Sequence, residues 1–132
     1  MQVEAQTAEA IEPAFAKAAL ERATAMVVPP ASLYATQGKR IAQLAKKYRI
    51  PTAHQNRSAV ADGALVSYGV DFVDGFARSA VYVDKILKGA KPADLPVEQA
   101  DRFQTYVNRS TAKALGLTIP RSLLLRANEV IQ

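Results

Sequence analysis

Residues 64–71 read Ala64-Leu65-Val66-Ser67-Tyr68-Gly69-Val70-Asp71. The first five predict a strand, and Gly69-Val70-Asp71 predicts a turn. The spacing then changes. Phe72, Phe76, Ala80, Val83 and Leu87 recur every three or four residues, the period of one helix face. The helix expected over 72–87 ends at Gly89, and Pro92 and Pro96 punctuate the linker beyond it. A strand that feeds a long helix is the unit from which parallel sheets are built.

The same alternation extends in both directions. Towards the N-terminus, Pro51 to His54 predicts a strand, followed by the polar loop Gln55-Asn56-Arg57 and a short helical turn from Ser58 to about Gly63. Before that, Ile41, Leu44, Ala45 and Tyr48 form the apolar stripe of a helix opened by Ser32 or Thr36 and stopped by Pro51. Ala25-Met26-Val27-Val28 is a buried strand emptying into Pro29-Pro30. Ile11, Phe15, Ala18, Ala19 and Arg22 follow helical spacing after Thr7, a cap residue, with Pro13 in the first turn where its missing N–H costs least. Gln2 to Gln6 alternates as a further strand. Towards the C-terminus, Phe103 to Val107 alternates as a strand. Two short helices are expected after it, Ser110 to Leu115 ended by Gly116, and Ser122 to Ile131. The whole predicts a single α/β domain over 1–132, with a mostly parallel sheet flanked by helices. Ligands of such sheets sit at the carboxyl ends of the strands. That nominates the loops 29–34, 55–58 and 67–71.

Composition narrows the chemistry. The 132 residues are 49% apolar, enough for a core and too apolar for a disordered chain. The absence of cysteine excludes disulfides, thiolate metal sites and cysteine nucleophiles. The net charge of +5 is spread over many helix faces rather than concentrated with aromatics, which argues against nucleic-acid binding. No apolar run reaches the ~20 residues of a membrane span, and the first residues lack the basic and apolar regions of a signal peptide.

Catalytic and metal motifs fail one by one. Gly38-Lys39 lacks the first glycine of a phosphate loop, since Leu33 stands there. There is no GxGxxG and no GxSxG. His54 is the one histidine and has no second to share a metal. The aspartates form no evident carboxylate pair, and Asp71 and Asp74 suit a helix N-terminus. The expectation is a protein with no cofactor that is not an enzyme.

Two stretches carry a family resemblance. One is Leu65 to Asp71 together with Ala80-Val81-Tyr82-Val83-Asp84-Lys85-Ile86-Leu87-Lys88-Gly89-Ala90-Lys91-Pro92-Ala93-Asp94-Leu95-Pro96-Val97-Glu98-Gln99. The other is Thr111-Ala112-Lys113-Ala114-Leu115-Gly116-Leu117-Thr118-Ile119-Pro120 with the following Ser122 to Ile131. Both resemble the C-terminal half of ABC transporter substrate-binding proteins of the tryptophan- and tyrosine-uptake type, and residues 11–30 are similar to the same half. The resemblance implies one lobe of a type I periplasmic-binding fold, in which two α/β lobes close on a small solute. It also implies an ABC permease as partner of full-length relatives, and a periplasmic location. Without a signal peptide the chain as it stands is expected in the cytoplasm, as a fragment or truncated product. Residues 68–99 then form a hinge-and-helix segment that belongs with a missing lobe or with another chain, so a homo-oligomer or a swapped helix is expected.

Six loop residues are the candidate ligand contacts. Ser32 and Asn56 would hydrogen-bond a polar head, Arg57 would pair with a carboxylate, and Asp71 would accept from an amino group. Tyr34 and Tyr68 would pack on an apolar or aromatic body. Each has a purely structural alternative: Ser32 and Asp71 as helix caps, Asn56 and Arg57 as solvated turn residues, Tyr34 and Tyr68 as packing. Two other functions compete: a ligand-free structural remnant, and a sensor domain of the lactose-repressor type, which would need a DNA-binding helix pair that the chain lacks.

Overall fold

The computed structural model describes residues 1–99 and 101–132. In chain order the elements are α1 (Ile11–Leu20), β1 (Met26–Val27), α2 (Ser32–Thr36), α3 (Gly38–Tyr48), β2 (Thr52–His54), α4 (Arg57–Asp62), β3 (Val66–Val70), α5 (Phe72–Leu87), β4 (Phe103–Asn108), α6 (Arg109–Leu115), α7 (Arg121–Arg126) and β5 (Glu129–Ile131). The five strands form one sheet in the order β1-β2-β3-β4-β5. Three pairings are parallel, and β3 with β4 is antiparallel. The mostly parallel α/β sheet expected from the sequence is what the chain forms.

The core lies where α1 and α3 pack beside β1. Ile11, Phe15, Ala18, Val28, Ile41, Leu44, Ala45 and Ile50 make one buried cluster. In α3 the apolar stripe is fully used: Ile41 is 2% exposed and Leu44 6%. The helix ends with Arg49 in the left-handed region, which turns Ile50 into the core before Pro51.

Several boundaries depart from expectation. Residues 2–6, expected as a strand, pair with no strand among the described residues. The helix after Pro30 is two helices, broken at Gln37, whose own backbone caps the second. Asn56, not Ser58, caps α4, because its extended backbone aims its carboxamide oxygen at the Ala59 amide, 3.0 Å away. Asn108 caps α6 in the same way, 2.8 Å from Thr111 N, so that helix starts at Arg109, one residue before the expected Ser110. The final helix stops at Arg126, and 129–131 form β5. The open edge of β4 takes those residues as a ladder partner, with Tyr106 beside Glu129 and Asn108 beside Ile131.

The long helix α5 has the expected boundaries, and its apolar face is not covered by the rest of the described residues. Asp71 caps it, accepting from Val73 N at 3.0 Å and Asp74 N at 3.2 Å. None of its residues is buried. Val73, Phe76 and Leu87 are 80, 76 and 81% exposed. What ties α5 to its linker is polar. Arg78 bonds Asp74, Glu98 and Asp101, and the Tyr82 hydroxyl donates to Pro96 O at 2.6 Å.

Candidate solute-binding edge

The chain leaves the sheet at the end of β3 and returns at the start of β4. The two points are adjacent, since Asp71 N donates to Arg102 O at 3.0 Å. Register pairs Val70 with Phe103 and Tyr68 with Thr105. In consequence Tyr68 and Phe103 project from the same face. Their rings stack with centroids 5.4 Å apart and planes 13° from parallel. Tyr68 remains 61% exposed and Phe103 48%. This aromatic pair is an open platform at the carboxyl end of β3. Gly69 beside it is required by close approach, for a Cβ there would stand 2.1 Å from Gln55 O.

The opposite face of the same strands carries a polar row. His54, Ser67, Tyr106 and Glu129 are register neighbours across β2, β3, β4 and β5. Arg57, the first residue of α4, holds Glu129 with two bonds of 2.6 Å and lies 5.9 Å from the Tyr106 ring centroid. The Tyr106 hydroxyl bonds Gln104, and Gln104 Nε2 donates to Asp71 Oδ2 at 2.5 Å. Arg57 and Asp71 are thereby joined through Tyr106 and Gln104. The hydrogen bond and charge of Arg57 hold the Glu129 carboxyl below its usual range, and Glu129 raises Arg57. Burial lowers the His54 imidazole. Its Nε2 and the hydroxyls of Thr52 and Ser67 are buried without a partner among the described residues.

The six residues nominated from the sequence therefore divide. Tyr68 stands open on the aromatic platform. Asp71 caps α5 and accepts from Gln104. Asn56 caps α4, also accepting from Ser58 Oγ at 3.0 Å. Arg57 is engaged by Glu129. Ser32 starts α2 as an exposed residue without a side-chain capping bond. Tyr34 donates to Ala5 O at 3.0 Å and packs on the core cluster. Neither Ser32 nor Tyr34 shares a hydrogen bond, ion pair or ring contact with the other four among the described residues. Phe103, Gln104, Tyr106 and Glu129 were not nominated. The alternation of 103–107 marked a strand, but its antiparallel return beside β3 has no signature in the residues themselves.

No set of three potential metal ligands occurs among the described residues. No helix is long and apolar enough to cross a membrane. Stacking, hydrogen bonding and charge pairing are the means at this edge.

A conserved domain protein from Vibrio cholerae aligns with a TM-score of 0.85 and 27% identity, over 96% of this chain and 42% of that one. An ABC domain from Streptococcus pneumoniae, solved in complex with L-Trp, aligns with a TM-score of 0.83 and 27% identity, over 96% and 44%. A ligand-free, open substrate-binding protein with adhesive properties from Clostridium difficile shares the fold, with a TM-score of 0.71 and 23% identity over 97% and 42%. The chain thus spans less than half the length of these solved structures. Among curated proteins none matches it. The family model for ABC transporter substrate binding proteins matches residues 2–131, and the chain belongs to that family.

Proposed function

We propose that this chain is the C-terminal lobe of a solute-binding protein serving an ABC importer, and that its tips form half of a cleft for a small amino-acid-like solute. One observation carries the reading. The sheet is left and re-entered side by side at Asp71 and Arg102, and the open Tyr68–Phe103 stack stands at that crossing. In this reading the double crossing is a hinge, and ligands of α/β sheets bind at the carboxyl ends of strands. The platform suits a flat apolar body, and a ligand of one structural relative, L-Trp, has such a body. Arg57 would serve a ligand carboxylate only by exchanging Glu129.

In this reading residues 72–99 pack against a second lobe. The ligand bridges both lobes only when they close, so it favours the closed state, which docks on the permease. The work is done on the periplasmic side, where the family acts, and no bond is made or broken.

The test is backbone-amide NMR of the chain titrated with L-Trp, L-Tyr and, as control, L-Ala. One lobe supplies about half the contacts, so weak binding is expected, with shifts at residues 68–71 and 103–104 for the aromatic amino acids. Tyr68→Ser should remove them. Absence of shifts at those residues at millimolar ligand rejects the half-cleft and leaves the ligand-free remnant.

A further inference from the structure

Three polar atoms lie buried without a hydrogen-bond partner among the described residues: Thr52 Oγ1, His54 Nε2 and Ser67 Oγ. The fold puts all three on one face of the sheet. Thr52 and His54 are two residues apart on β2, and His54 is the register neighbour of Ser67 on β3. Tyr106 continues the row on β4. Asn108, two residues further, donates Nδ2 to Val60 O of α4 at 3.0 Å, so this face lies under α4. Thr52 and Ser67 are 1% and 0% exposed, and Ala59 and Val60 of the covering helix are buried and apolar. The Tyr68–Phe103 stack stands on the opposite face.

We propose that Thr52, His54 and Ser67 form a binding site for one buried water molecule, which bridges β2 to β3 behind the aromatic platform. An unpaired buried hydroxyl or ring nitrogen carries its full desolvation penalty, and atoms on adjacent strands can be satisfied by one shared partner. Neighbouring strands are about 4.8 Å apart, and a water that bonds two groups spans about 5–6 Å between them. A buried water typically makes about three hydrogen bonds, which matches this set of side chains. The same set selects water over other occupants. Each hydroxyl donates or accepts, and burial favours the neutral imidazole, whose Nε2 does one or the other. Water answers either choice. An anion needs a cationic partner, and Arg57 of α4 is engaged by Glu129. A metal ion needs several imidazole, carboxylate or thiolate ligands, and no three such groups cluster among the described residues. Nor are Ser67 and His54 a nucleophile and its base, because a serine with no exposed surface meets no substrate. The water instead fixes the end of β3, where the next residue, Tyr68, carries the platform.

A high-resolution crystal structure of the whole chain should show a water within hydrogen-bonding distance of at least two of the three atoms. In solution the same long-lived water should give NMR cross-peaks to the Ser67 amide. Thr52→Val keeps the shape of its side chain and removes the hydroxyl, and Ser67→Ala removes the other. Each should lower the melting temperature by a few degrees, because the water and its remaining partners lose a bond. The double variant should lose less than the sum of the two, since both groups serve one molecule. A higher melting temperature in either single variant overturns the site, for that is the behaviour of a hydroxyl that was simply unpaired. Strictly additive losses overturn it as well. So does a crystal structure in which His54 Nε2 bonds either hydroxyl directly, with no water between them.

Discussion

α3 and α5 are the two amphipathic helices with the clearest apolar stripes, and the tertiary structure treats them oppositely. Ile41, Leu44 and Ala45 of α3 vanish into a cluster with α1 and β1, while α5 buries nothing. Fully burying one large apolar side chain contributes about 1.5–3 kcal/mol. α3 therefore stabilises this chain, and α5 carries a comparable stripe whose stabilisation is not realised within residues 1–132. An amphipathic pattern specifies that a helix has a partner and says nothing of which body supplies it.

Paired substitutions test the contrast most directly. Ile41→Ala should cost about 2–5 kcal/mol in urea unfolding, the usual penalty for a buried Ile truncated to Ala. Phe76→Ala should change stability by less than about 0.5 kcal/mol. Equal losses would show that α5 is packed in solution and would break the comparison.

Next in size is Asp71→Ala. It removes the α5 cap and the acceptor of Gln104, and should cost about 1 kcal/mol if α5 unfolds together with the sheet. If α5 frays independently, the loss should appear in helicity by circular dichroism while the unfolding midpoint stays put. A sharper version replaces 72–101 with a short Gly/Asn turn joining Asp71 to Arg102. The β3–β4 ladder should survive, with the melting temperature within a few degrees of the parent, because the excursion contributes no buried residue from α5.

The smallest effects are those of pH. His54 is held below its usual range by burial, so the folded state binds fewer protons than the unfolded one in mild acid. That contribution is fully present above the ordinary imidazole value of about 6.5 and is lost as pH falls from there through the lowered folded value. His54→Gln should flatten the stability profile in that window. The Glu129 carboxyl is also lowered, by Arg57. Its contribution is present above about 4.3 and is lost as pH falls through its folded value. Both partners are largely solvated, so Glu129→Gln should produce only a slight change, and one that high salt abolishes.

Legibility in the sequence followed locality. The bounds of α5, its cap at Asp71, the stop at Gly116 with φ of 72° and the extent of β4 were readable because neighbouring residues decide them. The starts of α4 and α6 were read one residue late, at Ser58 and Ser110 rather than Arg57 and Arg109, since Asn56 and Asn108 take the capping role two positions before each serine. β5 was missed because Leu123, Leu124 and Val130 keep a helical spacing, and only the free edge of β4 turns 129–131 into a strand. In the same way, Arg57 was nominated for a ligand carboxylate, while the fold brings Glu129 from 72 residues away to claim it.

What the amino-acid order determined by itself is the succession of strands and helices, the α/β class and the absence of catalytic motifs. These depend on hydrophobic period and on turn and cap residues, which act over a few positions. Tertiary structure alone decided which edges pair, that Tyr68 meets Phe103 at the crossing, that Arg57 is neutralised, and that α5 is left uncovered. Those outcomes depend on which distant segments arrive at the same place, and short-range spacing holds no record of that.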